Sequence, residues 1–120
     1  MLRYDSPVQL TARYALADAE VGGVIIPEGS FVLLLIGVAN RDPDLCVDPD
    51  SLDVGRPPSH DLAFGQGIHF CLGAPLARLE AQIALSAVVQ SGSELRLASE
   101  PEWKENSVLR GLRRLVVTVS

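Results

Sequence analysis

Apolar positions divide the N-terminal half of the chain into short segments separated by glycine and proline. Residues 10–16 have the length of a short strand, and the uninterrupted apolar run 31–36, with Gly29 and Gly37 on either side, favours a buried strand. Between them, residues 21–29 place glycines and a proline around two apolar pieces, a pattern typical of a hairpin. This half therefore predicts several short strands.

Residues 75–90 carry the clearest helical pattern. Pro75 suits the first helical position, and Gly92 follows the last turn as a stop signal. Apolar residues cover most of the circumference, which predicts burial on several sides. One polar row runs along the helix at i, i+4 and i+8: Arg78, Gln82 and Ser86. Residues 94–97 and 114–119 look like two further strands.

Residues 40–58 contain so many aspartate, glycine and proline breakers that no regular element of any length fits there. We expect an ordered meander, and such long stretches inside compact domains are usually close to a functional site. The expected fold class is mixed α/β. We divide it into strands and meander at 1–60, a loop at 61–73, the helix at 75–90 and C-terminal strands at 93–120.

Composition and charge narrow the classes of function. With 48% apolar residues in 120, the chain has enough apolar surface to collapse, and the net charge of -5 argues against nucleic acid and anionic membranes as partners. The longest apolar run, residues 31–39, is at best half a membrane span, so we expect a soluble cytoplasmic protein. A mean hydropathy of +0.24 is high for this size and indicates that something else covers part of the surface.

The two cysteines, Cys46 and Cys71, are expected to be thiols, because the cytosol keeps such pairs reduced. Cys71 lies just before the predicted helix, where unpaired N–H groups and the helix dipole favour a thiolate. Gly65, Gly67 and Gly73 remove side chains on both sides of it, as expected where a backbone lies against a large flat ligand. The loop therefore predicts a metal ligand or a nucleophile.

Residues 64–73 spell F-G-x-G-x-H-x-C-x-G, followed by Leu76-Ala77-Arg78 and Glu80. This pattern resembles the signature of the haem-thiolate cytochromes P450, and every fixed position is filled. The resemblance implies that the chain is part of the mainly helical fold of that family. It also implies a monooxygenase that inserts one oxygen atom into a small apolar substrate with haem b, using electrons from NAD(P)H through a ferredoxin.

The family assigns roles to individual residues of the loop. Cys71 is implied to be the axial ligand of the haem iron, Gly73 to bring N–H groups close to the sulfur, and Phe64 to shield the sulfur from water. His69 is implied to pair with a haem propionate, as is Arg13 from its strand. Taken alone, His69 would more often be a structural histidine and Arg13 an exposed strand residue. The implied cofactor-binding set is Arg13, Phe64, Gly65, Gly67, His69, Cys71 and Gly73, with Cys71 as the metal ligand.

The match with the family also has gaps. Arg3 and Arg56 resemble arginines that pair with the glutamate of an E-x-x-R helix, and that glutamate falls one position before Met1, so we expect both cations to lack this carboxylate. Cys46 and Leu52 stand where the family commonly has phenylalanine. We further expect the oxygen-activating helix with its acid–alcohol pair to lie upstream, which makes the chain a C-terminal fragment, incomplete on its own.

Two alternatives remain open on the sequence. The first is an inactive remnant that at most binds haem. The second is a zinc module that uses two cysteines and two histidines, although the short ligand spacings of such sites are missing. The four ligands of that module would be Cys46, His60, His69 and Cys71.

Overall fold

A computed structural model describes residues 1–57 and 61–120. The chain divides into two units, which we describe separately. Unit 1 comprises residues 1–63 and 106–109, and unit 2 comprises residues 64–105 and 110–120.

Unit 1 contains two antiparallel strand pairs. Strand β1 (Thr11–Tyr14) pairs with β4 (Phe31–Leu34), with Arg13 opposite Val32. Strands β2 (Ala19–Val21) and β3 (Val24–Ile26) form a hairpin. Its two connecting glycines, Gly22 and Gly23, have φ of +58° and +79°, as a tight hairpin turn requires. The predicted strand at 10–16 and the predicted hairpin are both confirmed.

The apolar run 31–36 is only partly a strand. Strand β4 ends at Leu34, and a short helix, α1 (Ile36–Ala39), begins two residues later. The prediction of a buried strand is wrong, because Phe31, Leu33 and Leu34 are all exposed. In the described part of the unit β4 forms a two-stranded sheet with β1, and the side chains on its faces stay exposed unless another element packs over them.

The meander contains no helix or strand in its described part, residues 40–57, as predicted. Side chains of three arginines hold it instead. Arg3 Nη1 donates hydrogen bonds to the carbonyl oxygens of Asn40 at 2.8 Å and Pro49 at 3.0 Å. Arg41 donates two to the Tyr4 carbonyl, at 2.8 and 3.2 Å, and pairs with Asp50 at 2.8 Å.

Arg56 is the third of these arginines, and it donates to the carbonyl oxygens of Val47 and Asp48 and to Cys46 Sγ at 3.3 Å. Its Nε is buried without a hydrogen-bond partner among the described residues. Arg3 and Arg56 are therefore not left without acceptors, because backbone carbonyls serve both. The expectation that both lack the carboxylate of an E-x-x-R helix remains a prediction.

Unit 2 is built around helix α2 (Ala74–Gln90). The helix begins one residue before the predicted start, because Gly73 is its N-cap and Pro75 is therefore its second residue. Two antiparallel pairs follow, formed by four strands: β5 (Leu95–Leu97) with β8 (Val117–Val119), and β6 (Glu102–Trp103) with β7 (Leu112–Arg114). The predicted strand at 114–119 is thus two strands with a break, and β6 was not predicted.

Little of the apolar surface is buried. Within α2, all of whose residues are described, Ala74 alone is buried. Several leucine, isoleucine and valine side chains of α2 are about half exposed or more: Leu76, Leu79, Ile83, Leu85, Val88 and Val89. We call these the exposed apolar side chains of α2. No helix in the described part of the chain is long and apolar enough to cross a membrane.

Candidate functional site

Residues 64–73 form a closed loop in unit 2. The Cys71 N–H donates to the Phe64 carbonyl at 2.9 Å, which ties the two ends of the loop together. Between them, a short 3-10 turn, Gly67–His69, is closed by the Phe70 N–H on the Gly67 carbonyl. Gly65 and Gly67 have φ of +73° and +63°, a region that favours glycine. These two glycines are therefore needed for the backbone path itself.

Cys71 leads directly into the first turn of α2. Its carbonyl accepts the N–H of Ala74 at 3.1 Å, and the Gly73 carbonyl accepts the N–H of Ala77 at 2.9 Å. A β-carbon built on Gly73 would lie 3.8 Å from Cys71 Sγ, so the sulfur lies close to the Gly73 backbone. The thiol is free and exposed. This arrangement places a free, exposed thiol at the helix start, and its role as a metal ligand remains a prediction.

Apolar side chains flank the thiol without being buried. Ile68 and Leu72 are 97% and 98% exposed, and Phe70 is more than half exposed. Water-exposed apolar groups at this density on one short loop indicate a surface that an apolar ligand or neighbour covers. A large flat ligand would cover such a surface.

Phe64 and His69 occupy the loop in different ways. The Phe64 ring contacts the Arg78 guanidinium, whose carbon lies 5.0 Å from the ring centroid, so a cation–π contact anchors the start of the loop to α2. His69 ends the 3-10 turn with an exposed side chain. The imidazole is therefore accessible to a ligand at the loop surface. The His69 carbonyl oxygen would lie 3.4 Å from a β-carbon built on Gly65.

Arg13 lies in the other unit, in the middle of β1. Its Nη1 donates to the Ala12 carbonyl at 2.7 Å and to Thr11 Oγ1 at 3.3 Å, so the guanidinium is folded along its own strand. The side chain is half-buried. Its predicted role toward a propionate remains a prediction.

The donor set at the loop suits haem better than a bare ion. Among residues 1–57 and 61–120, no three histidine, cysteine, aspartate or glutamate side chains gather where they could hold a metal. A single accessible thiol instead fits an iron whose other ligands come with the cofactor. Of the four ligands of the zinc alternative, Cys46 is buried against Arg56 and His60 lies outside the described residues.

One residue of unit 1 that sequence reasoning passed over is Asn40. It is among the most buried polar residues of the described structure. Its side chain bonds Ser6 and the Leu62 N–H. Sequence gave no clear sign of this, because an asparagine before an Asp-Pro pair is typical of any turn.

The sequence model named "Cytochrome P450" matches residues 1–108. The chain belongs to the cytochrome P450 family. It is 48% identical over 119 residues to the "Biotin biosynthesis cytochrome P450" of Bacillus subtilis, covering 98% of this chain and 30% of that protein. It is 45% identical over 120 residues to the "6-deoxyerythronolide B hydroxylase" of Saccharopolyspora erythraea, again covering 98% of this chain and 30% of the relative.

Solved P450 structures match the fold over nearly the whole chain. The crystal structure of P450BioI in complex with an acyl carrier protein ligated with hexadec-9Z-enoic acid gives a TM-score of 0.95 at 48% identity, over 99% of this chain and 31% of that one. The chain therefore has the fold of one piece of a P450, with strands and one long helix, and the prediction of fold class and family is confirmed. It spans about 30% of the length of the relatives that it matches.

Proposed function

We propose that Cys71 is the thiolate ligand of a haem b iron and that the chain contributes the ligand side of a P450 monooxygenase. The observation that carries the proposal is the exposed Cys71 thiol at the start of α2, with exposed apolar side chains next to it in the chain. The Cys71 N–H is bonded to the Phe64 carbonyl, which holds the residue in the loop. Haem bound there supplies the activation of dioxygen for insertion of one oxygen atom into an organic substrate.

In this proposal the loop residues bind the haem and shield its sulfur ligand from water. Gly65 and Gly67 give the backbone the path that leaves the face of the loop open, and Gly73 keeps the backbone close to the sulfur. Phe64, anchored by Arg78, shields the thiolate from water. His69, exposed at the loop surface, and Arg13, a permanent cation on β1, are proposed to bind the two propionates.

The wider reaction is proposed from the family. We infer a small apolar substrate, electrons from NAD(P)H delivered through a ferredoxin, and a cytoplasmic location, with neither nucleic acid nor membrane as partner. The net charge of -5 argues against nucleic acid and anionic membranes as partners. The acyl carrier protein is a partner of the relative that was solved with it, and the described residues give no reason of their own to assign it here.

Cysteine replacement tests the proposal, with Cys46 as the matched control. The protein is reconstituted with haem, reduced and exposed to carbon monoxide, and the difference spectrum is recorded for Cys71→Ser and Cys46→Ser. We expect the red-shifted thiolate band to disappear only in Cys71→Ser, because Cys46 is buried and bonded to Arg56. A thiolate band that persists in Cys71→Ser would refute the assignment.

A second candidate is a chain that binds haem without catalysing oxygenation. The observation in its favour is the largely exposed apolar surface of α2, which the described residues leave uncovered. Haem binding with reduction by a ferredoxin system, but without product from a panel of apolar substrates, would support this candidate. Product formation coupled to NAD(P)H oxidation would exclude it.

A further inference from the structure

The polar row of α2 starts at Arg78, whose guanidinium contacts the Phe64 ring. The guanidinium carbon lies 5.0 Å from the ring centroid, within the range of a cation–π interaction. Arg78 is exposed and Phe64 is half-buried, and both residues belong to unit 2. The contact therefore joins an exposed cation of the helix to the residue with which the cysteine loop begins.

The position of Arg78 in α2 accounts for this contact. Helix side chains lean toward the helix N-terminus, and Arg78 lies one turn after Ala74, the first residue of α2. Its side chain is therefore directed back toward the cysteine loop. A planar guanidinium suits the face of an aromatic ring, and it keeps its charge throughout the physiological pH range.

The cysteine loop is thereby tied to α2 at both of its ends. At the exit, the Cys71 carbonyl accepts the Ala74 N–H at 3.1 Å. At the entry, the Phe64 ring contacts Arg78, and the Phe64 carbonyl accepts the Cys71 N–H at 2.9 Å. Arg78 and Cys71 thus contact the same residue, one at its side chain and the other at its main chain. Loss of the ring contact removes a restraint on Phe64 without any change in the sequence of the loop.

We propose that Arg78 is a positioning residue for the cysteine loop, and that it acts by holding the Phe64 ring against α2. The inference rests on the proposed haem-thiolate function, in which the same ring shields the sulfur from water. It adds that a side chain outside the loop sets the place of the ring. Arg78 touches neither haem nor substrate in this proposal.

Four substitutions isolate the contact between Arg78 and Phe64. Arg78→Met removes the charge and keeps a long side chain with good helix propensity. Arg78→Lys keeps a cation that can lie over the ring. Phe64→Leu keeps an apolar side chain without a ring face, and it is combined with Arg78→Met in a double-mutant cycle. Gln82→Met, four residues further along the same exposed row, is the matched control.

The variants are made in a haem-loaded chimera in which this chain replaces the matching segment of the Bacillus subtilis relative, with residue numbers kept. Amide hydrogen exchange at Cys71 measures the opening of the loop. Exchange at Ala98, whose N–H donates to the Val116 carbonyl at 2.9 Å, measures the general stability of unit 2. The rate at which the carbon monoxide complex loses its thiolate band measures the shielding of the sulfur.

We expect Arg78→Met to speed both Cys71 exchange and loss of the thiolate band about two- to fivefold, as removal of one exposed cation–π contact implies. Ala98 exchange should not change. Arg78→Lys should recover at least half of each effect on a logarithmic scale, and Gln82→Met should change none of the rates. In the Phe64→Leu background Arg78→Met should have no further effect, because the ring through which Arg78 acts is gone.

An effect of Arg78→Met that persists in the Phe64→Leu background would overturn the proposal. A parallel rise in Ala98 exchange would also overturn it, because it would indicate a general loss of stability, and so would an unchanged rate of Cys71 exchange or of band loss. If the parent chimera shows no thiolate band at all, the haem-thiolate function fails, and the exchange cycle alone then decides whether Arg78 positions the loop. The two proposals can therefore fail separately.

Discussion

Replacement of Ile83 by glutamine should have very different effects in the 120-residue chain and in a protein that covers α2. Ile83 is 61% exposed in this structure, so less than half of its contact area is at stake in the chain alone. That loss is about 0.5–1 kcal/mol, and the better helix propensity of glutamine offsets a few tenths of it. We expect the free energy of unfolding to fall by less than about 1 kcal/mol.

The same substitution in the chimera with the Bacillus subtilis relative should be costly. If the remaining two-thirds of the P450 fold cover α2, the variant loses the full burial of isoleucine, about 1.5–3 kcal/mol, and buries an amide without partners, about 1–3 kcal/mol. The expected loss is about 3–5 kcal/mol. Gln82→Ala, on the polar row of the same helix, is the matched control and should cost less than about 0.5 kcal/mol in both proteins.

Urea titrations followed by far-UV circular dichroism and by the fluorescence of Trp103, the single tryptophan, provide the measurement. We further expect the chain alone to give a broad transition without a sharp midpoint. The six exposed apolar side chains of α2 leave roughly 5–10 kcal/mol of burial unrealised, which is comparable to the whole stability of a domain. A concentration series detects self-association, which would cover the same side chains. A sharp transition of the monomer, with Ile83→Gln as costly as in the chimera, would refute the reasoning.

Three further outcomes follow from single contacts. Arg13→Ala and His69→Ala should each speed haem transfer to an acceptor protein while leaving the thiolate spectrum in place, and unchanged transfer rates would contradict their propionate roles. Gly65→Ala should destabilise the chimera by about 1–2 kcal/mol, because φ is +73° there, whereas Gly111→Ala, with open space around it, should be near neutral in the same urea titration. Arg41→Met should cost about 2–3 kcal/mol by urea titration through loss of its two bonds to the part-buried Tyr4 carbonyl, and a change below about 0.5 kcal/mol would show that water replaces them.

Sequence predicted the local features of this chain well and the non-local ones poorly. The helix was placed to within one residue by Pro75 and Gly92, and the hairpin by its glycines, because these signals act over a few residues. The end of β4 at Leu34 was missed, since an apolar run does not say where strand gives way to helix. Its exposure was missed too, because burial depends on which elements lie opposite.

In the candidate site, too, the local features could be predicted and the non-local ones could not. The thiol, the helix start and the glycine positions could be predicted because they lie within residues 64–74 and match one motif. The network of Asn40 could not, because Ser6 and Leu62 are 34 and 22 residues away in sequence and no pattern links them. The carbonyl acceptors of Arg3 and Arg56 were missed for a related reason, since main-chain groups carry no sequence signal.

Short-range bonds hold the cysteine loop, whereas longer-range bonds hold much of unit 1. The bonds from Cys71 to Phe64 and from Ala74 to Cys71 are local, so they form at small cost in chain entropy and hold the thiol at the helix start. The arginine and Asn40 bonds of unit 1 close loops of 8 to 46 residues, and the entropy cost of closing a loop rises with its length, so the longer ones depend more on neighbouring bonds that form with them. Substitutions in residues 64–74 should therefore change the chemistry of the sulfur directly. Substitutions at Asn40 should instead change the stability of unit 1, because its side-chain bonds to Ser6 and Leu62 lie within that unit.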